Sequence, residues 1–223
     1  MVRAHFPRAR TMLDVGCGTG FVLAGLREAL PGLRLTGGEP SADHLALARR
    51  RLPHVELIEL DILEPQRRAF DVVGAFDVLE HIADDDRALR GLFDATAPDG
   101  GSILLVPQHA WLWSRSDVYA RHIRRYSRRE LMSKLERTGF RVTLATSFVS
   151  ALLPAMLAVR MLPRGGAASY ELESELVPPV LVNRLLEKIL DGERLLIERG
   201  VSLGVGGSLL IVARREPVRP QRR

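Results

Sequence analysis

The chain has 223 residues, of which 46% are hydrophobic and 26% charged, a composition that excludes wholesale disorder and allows one large domain or one domain with an insertion. A single cysteine, Cys17, excludes an internal disulfide. The net charge is +5, and the cations are nearly all arginine, Lys134 and Lys188 being the exceptions.

Thr11 to Gly16 is a short apolar run ending in glycine, as expected of a buried strand. Phe21 to Leu30 has helical spacing and stops at Pro31-Gly32. Leu33 to Glu39 reads as a second strand, and Ser41 offers an N-cap, with Asp43 in the first turn, for a helix through Arg51. Val55 to Leu60 alternates as a third strand, and Phe70 to Phe76 is a fourth. Asp84, Asp85 and Asp86 suit a helix start, and that helix runs to about Thr96. Pro98-Asp99-Gly100-Gly101 is turn chemistry before a fifth strand, Ser102 to Val106. Ser127 and Glu130 have the spacing of a capping box opening a helix that ends at Gly139. Phe140 to Ser147 is a sixth strand and Gly207 to Ala213 a seventh. The 148–204 gap is too long for a plain loop, and Leu181 to Ile197 has helical spacing, so the gap is expected to be an inserted helical cap. Strands alternating with helices predict an α/β fold, a mostly parallel sheet covered on both faces.

The segment Leu13-Asp-Val-Gly-Cys-Gly-Thr-Gly20 joins the first strand to the first helix. Gly16, Gly18 and Gly20 let the backbone turn tightly and approach a ligand without Cβ clashes. The following helix start offers unpaired N–H groups, and ligands of such sheets bind at the carboxyl ends of the strands. Glu39 ends the second strand, where an acid can accept from both hydroxyls of a ribose. Asp61 ends the third, where it can accept from an adenine amino group or cap the next turn. Phe76-Asp77 ends the fourth, where Asp77 either faces the ligand or caps the turn toward Glu80-His81. In the G-x-G-x-x-G fingerprint of dinucleotide sites the third glycine comes one position later, where this chain has Phe21, so the loop does not match a pyrophosphate cradle.

With those residues in place, 11–107 resembles the class I S-adenosylmethionine-dependent methyltransferases, particularly the small-molecule group that includes the ubiquinone-biosynthesis O-methyltransferases. The resemblance implies a Rossmann-like sheet of seven strands whose last is antiparallel. S-Adenosylmethionine would be the cofactor and S-adenosylhomocysteine the product. It further implies that Asp14 helps hold the site, that Glu39, beside Pro40, meets the ribose, and that Asp61 and Ile62 meet the adenine edge. Gly16 and Phe76 fall at the methionine end, within the loop Gly16-Cys17-Gly18-Thr19-Gly20. A second stretch, 106–140, carrying Trp111, Asp117, His122, Tyr126 and Glu130, is similar to a methyltransferase subgroup, with Arg121 where glycine is frequent before the histidine.

An oxygen acceptor can need a general base, and His122 comes first for that role, His81 second. Trp111, Tyr119 and Tyr126 either line an acceptor pocket or pack the loop. Arg125 either binds an anionic acceptor group or faces solvent. The six histidines show no pair at ligand spacing, so no metal site is expected. The partner is expected to be a small or lipid-like acceptor. Nucleic acid is disfavoured because Asp77-Val-Leu-Glu80 stands where amino-methylating DNA enzymes carry an Asn/Asp-Pro-Pro-aromatic run. Arginines such as Arg27 and Arg194 adjoin acids and read as solvated. The basic runs are 121–129 and 214–223; the latter, with Pro217 and Pro220, reads as a frayed end. The opening residues lack the apolar core of a signal peptide, and the apolar stretch 148–162 is shorter than the ~20 residues that span a bilayer. It serves cap core, dimer face or peripheral membrane contact, so a cytoplasmic monomer or homodimer is expected.

Overall fold

A computed structural model of the chain describes residues 1–161 and 180–216. Seven strands form one mixed sheet in the order β3-β2-β1-β4-β5-β7-β6, mostly parallel with the antiparallel strand last in sequence. They are β1 (Thr11–Val15), β2 (Arg34–Glu39), β3 (Glu56–Glu59), β4 (Phe70–Phe76), β5 (Thr96–Pro107), β6 (Phe140–Phe148) and β7 (Ser208–Arg215). The helices are α1 (Val2–His5), α2 (Phe21–Ala29), α3 (Ala42–Arg51), α4 (Asp85–Ala95), α5 (Arg115–Tyr119), α6 (Arg128–Thr138), α7 (Leu153–Met161) and α8 (Val180–Glu198). Single 3-10 turns cover Leu79–His81 and Ala110–Leu112.

The period-2 alternation of each strand builds two apolar layers. Leu13, Val15, Val73, Ala75, Leu104, Val106 and Ile211 meet Leu89 and Leu92 of α4 and Leu131 and Leu135 of α6 on one face. Met12, Val72, Ile103 and Val212 meet Phe6 and Leu23 on the other. Packing of α4 depends on Gly91, where an added Cβ would lie 1.9 Å from the Ile62 carbonyl oxygen. Parallel pairing of β1 with β2 and β4 places the carboxyl ends of three central strands at one edge. Asp71 fixes the opposite edge by accepting from the Arg10 and Thr11 amides at 2.8 and 2.9 Å.

Helix ends follow side-chain chemistry. Ser41 Oγ accepts from the His44 amide, Asp84 from that of Arg87 and Ser127 from that of Glu130. Gly139 closes α6 at φ 106°, a left-handed cap. One expectation changes: Pro98–Gly101 does not precede the fifth strand but lies inside β5. There Phe70 pairs with Thr96 and Val72 with Gly101, a bulge with Asp99 at φ 64°. The turn residues are used, but as a bulge.

The chain divides into two compact units, one of residues 1–145 and 209–223, the other of 146–208. In the second, the buried Glu193 of α8 accepts from the Ser150 and Ala151 amides at 3.0 Å. Val180, Leu181, Leu185, Leu195 and Leu196 on α8 are exposed. Residues 162–179 of the expected cap and 217–223 of the expected frayed tail lie outside the described residues. Arg214 and Arg215 are not frayed, for both end β7, and Arg215 donates to the Phe93 carbonyl at 2.9 Å. No helix among the described residues is long and apolar enough to cross a membrane.

Candidate functional site

At the carboxyl end of β1 the chain turns through Gly16, Gly18 and Gly20 at φ 67°, 53° and 84°, a conformation that L side chains rarely adopt. An added Cβ at Gly18 would meet nothing within 4 Å, so this part of the loop is open to a ligand. At Gly16 it would stand 2.7 Å from Val78 Cγ2, which ties the loop to the segment following β4. The Cys17 amide donates to the Gly38 carbonyl at 3.0 Å, while its side chain is buried beside the Gly37 position. Burial, then the nearby Asp14 and Glu39, push the thiol up to about 12, so it stays protonated.

Glu39 ends β2 nearly buried. Its Oε2 accepts from the Gly18 amide at 3.0 Å and its Oε1 from the Ser41 amide at 3.1 Å. His44 Nδ1 also lies 3.3 Å from Oε1, and because a carboxylate has about four lone-pair sites, Oε2 keeps capacity for a ribose hydroxyl. Pro40 is exposed and leads into the Ser41 cap. Asp14 stands on β1 in register with Gly37 of β2 and Gly74 of β4. Among the described residues its Oδ2 has no hydrogen-bond partner, and burial pushes its pKa to about 7. Asp61 is exposed and accepts from the Leu63 amide at 2.8 Å, so it does cap its own turn. The Ile62 side chain belongs to the core rather than the ligand edge.

Beyond β4, Phe76 is half-buried and Asp77 is open to solvent at φ 54°. Glu80 is fully buried, and neither carboxylate oxygen has a hydrogen-bond partner among the described residues. Burial, and then the neighbouring Asp77 carboxyl, push its pKa to about 8, so Glu80 holds a proton at neutral pH. His122 stands beside it with Nε2 3.9 Å from Glu80 Oε1, and its ring centroid lies 4.9 Å from that of His81. Desolvation, then His122, lower the His81 pKa.

Asp117 governs this cluster. It is 1% exposed, with Oδ1 3.0 Å from His122 Nδ1, and it accepts from Arg125 Nε at 2.7 Å and Nη2 at 3.1 Å. The Ser114 amide and hydroxyl also donate to it, at 2.7 and 3.0 Å. Burial raises its pKa, but the bonds from Arg125 and His122 outweigh that and hold the carboxyl below its ordinary value.

Two expectations need correction. Arg125 cannot offer paired donors to an acceptor, because its guanidinium is spent on Asp117 and on the Gln108 carbonyl at 3.1 Å. Tyr126 lines no pocket: it is fully buried, and its hydroxyl donates to Asp85 Oδ2 at 2.9 Å. Trp111 and Tyr119 are well exposed, at 59% and 62%, with the His109 ring 5.4 Å from that of Trp111. The absence of close histidine spacing in sequence also misled, since the fold sets His81 and His122 side by side. Glu80 and Asp117 were given no role. The Glu80-His81 pair at a strand end and the Ser114-x-x-Asp117 spacing were the signals available.

A family model described as a methyltransferase domain matches residues 2–145. The chain belongs to this family. It is a class I S-adenosylmethionine-dependent methyltransferase by fold and family. The chain is 32% identical over 111 residues to a trans-aconitate 2-methyltransferase of Variovorax paradoxus, covering 49% of this chain and 43% of that one. It is 38% identical over 105 residues to a dTDP-3-amino-3,6-dideoxy-alpha-D-glucopyranose N,N-dimethyltransferase of Streptomyces fradiae, covering 45% and 40%. The chain thus spans less than half the length of these relatives. A solved S-adenosylmethionine-dependent methyltransferase from Archaeoglobus fulgidus shares the fold at TM-score 0.60 and 20% identity, over 94% of this chain and 88% of that one. S-Adenosylmethionine is the family's cofactor, and the open, left-handed glycine loop beside the buried Glu39 fits it.

Proposed function

We propose that this methyltransferase moves a methyl group from S-adenosylmethionine to an oxygen of a small or lipid-like acceptor, as one domain into which 148–204 is inserted. The observation that carries this reading is the contact of Val78 with the Gly16 position. It puts the cofactor loop and the Glu80–His81–His122 cluster at one sheet edge. The relatives act on a carboxylic acid and an amino sugar by name, which supports a small acceptor and leaves the acceptor atom to the local chemistry.

Bound S-adenosylmethionine supplies an already activated sulfonium methyl group, so the protein's main task is alignment. In this reading the glycine-loop backbone and Phe76 hold the methionine end, Glu39 takes the ribose, and Asp61 and the Ile62 backbone meet the adenine. Asp77 lies at the rim. The proton an oxygen acceptor must lose goes to the histidine cluster. His122 is the first recipient, because Asp117 fixes its Nδ1 and orients Nε2, and His81 is the second. Trp111 and Tyr119 form an exposed aromatic rim for the acceptor.

Calorimetric titration with S-adenosylmethionine and S-adenosylhomocysteine tests the cofactor half. Micromolar binding abolished by Glu39→Ala, with the melting temperature unchanged, is expected. No binding to either ligand would overturn the reading. Methyl transfer to a panel of hydroxy, carboxylic and amino acceptors then tests the acceptor half, and turnover confined to amines would remove the oxygen assignment.

A further inference from the structure

Two side chains at the carboxyl end of β5 carry polar atoms that the fold leaves unused. Gln108 is 1% exposed, yet its Oε1 has no hydrogen-bond partner among the described residues. The next residue, His109, is half-buried, and its Nε2 is buried and equally without a partner. Folded proteins pair almost all such groups, so two consecutive exceptions call for a ligand rather than a packing account. The backbone adds another exception. His109 sits at φ 63°, a left-handed conformation that is uncommon outside glycine and that clusters where ligands are held.

The surroundings hold this turn still. The His109 amide donates to the Tyr126 carbonyl at 3.0 Å, and the Leu112 amide donates to the His109 carbonyl at 3.0 Å. Arg125 donates to the Gln108 carbonyl through Nη1 at 3.1 Å while it grips Asp117 through Nε at 2.7 Å. One guanidinium thus fixes both the Gln108 turn and the carboxylate that holds His122. The location agrees. β5 runs parallel to β4, and the Asp77 amide donates to the Leu105 carbonyl at 2.9 Å, so Gln108 leaves the sheet at the edge where the cofactor loop stands. Trp111 is exposed, with its ring tilted 30° to that of His109.

We propose that Gln108 and His109, with Trp111, form an acceptor subsite for a neutral hydroxylated ring of the sugar or cyclitol class. An amide oxygen accepts and does not donate, so its partner must carry a proton, which a carboxylate lacks. Desolvation, then Arg125 and Arg128, lower the His109 pKa, and the same positive field repels an ammonium group. A hydroxyl donates to Oε1 and can either donate to or accept from an imidazole nitrogen, so neighbouring hydroxyls of one ring can serve both side chains. The exposed indole gives the apolar face of such a ring a surface to lie on. The subsite rests on the methyl-transfer reading for its use, and it narrows the small or lipid-like acceptor to one that carries a polyol ring.

Trp111 and Trp113 are the chain's two tryptophans, so intrinsic fluorescence reports directly on this turn. The whole chain is titrated with myo-inositol and with methyl glucoside in the presence of S-adenosylhomocysteine. At least one polyol should change the emission saturably, and the fully O-methylated glucoside, which has no hydroxyl to donate, should not. Gln108→Leu should weaken that binding at least about tenfold while the melting temperature holds or rises, since Oε1 has no internal partner to lose. His109→Phe, which keeps an aromatic ring beside Trp111, should weaken it as well. No saturable change at tens of millimolar polyol, equal binding of the O-methylated glucoside, or binding unaltered in Gln108→Leu would overturn the subsite. Calorimetry with S-adenosylmethionine on the same samples separates the two readings. Cofactor binding without polyol binding removes the subsite alone. Polyol binding that Gln108→Leu weakens, without cofactor binding, supports the subsite and removes the methyl-transfer reading.

Discussion

Asp14→Asn isolates the cost of a charge inside the sheet. Asp14 is 2% exposed, its Oδ2 has no partner among the described residues, and burial sets its folded pKa at about 7 against an ordinary value of 3.8. The folded chain therefore holds the Asp14 proton more tightly than the unfolded chain. This contribution is most favourable below about pH 4 and is lost as the pH rises through 7. A difference of about three pH units at 1.36 kcal/mol each amounts to about 4 kcal/mol. Asparagine has nearly the same shape and stays neutral. Parent and variant should therefore melt close together at pH 4, and the variant should melt higher by pH 8.5. At about 2–4 °C per kcal/mol for a chain of this size, the gap at pH 8.5 is about 8–16 °C. Glu80 gives the parent a slope of the same sign, but it is common to both proteins and cancels in the difference. Melting curves at half-unit pH steps, without cofactor, read this directly. Parallel curves for the two proteins, or a variant less stable at every pH, would refute the argument that Asp14 is a buried, uncompensated acid.

Other outcomes follow from the same coordinates. Gly91→Ala should cost more than the 1–3 kcal/mol of ordinary overpacking, because the added methyl meets the Ile62 carbonyl oxygen rather than a flexible side chain; a denaturant midpoint checks it. Arg125→Ala should destabilise by about 3–5 kcal/mol by removing the guanidinium from the buried Asp117 carboxylate, which then keeps only Ser114 and His122, and a loss confined to acceptor affinity at unchanged stability would contradict its structural role. Tyr126→Phe removes the hydroxyl that donates to Asp85, while Arg124 and Lys134 still hold that carboxylate at 2.9 and 2.8 Å; the loss should stay near 1–2 kcal/mol by chemical denaturation. Trp111→Ala should leave the melting temperature within a degree or so, because the ring is exposed, and should raise the acceptor KM more than it lowers kcat.

Much of this architecture is local and therefore legible in the order of residues. The apolar run Phe70–Phe76 gives β4 to the residue, Ser41 and Gly139 mark the ends of their helices, and Leu181–Ile197 differs from α8 only at its ends. The glycine loop is legible for the same reason, since its three left-handed residues follow one another in the chain. The Pro98–Gly101 bulge was not, because turn residues describe a backbone angle and not whether pairing continues on either side.

The candidate site divides along the same line. Sequence alone determined where the strands end, and hence that Gly16–Gly20, Glu39, Asp61 and Asp77 lie at one edge, because a parallel sheet delivers all its carboxyl ends together. It also determined that His122 follows β5 in a loop, five residues beyond Asp117. Tertiary structure decided the rest. Arg125 and Tyr126 turned inward because buried Asp117 and Asp85 need donors, a demand no local pattern records. His81 came to face His122 across 41 residues because the loop after β5 folds back on the turn after β4. The charge environment of Asp14 and Glu80 arose in the same way, since desolvation depends on which side chains close over a carboxylate and not on its neighbours in the chain.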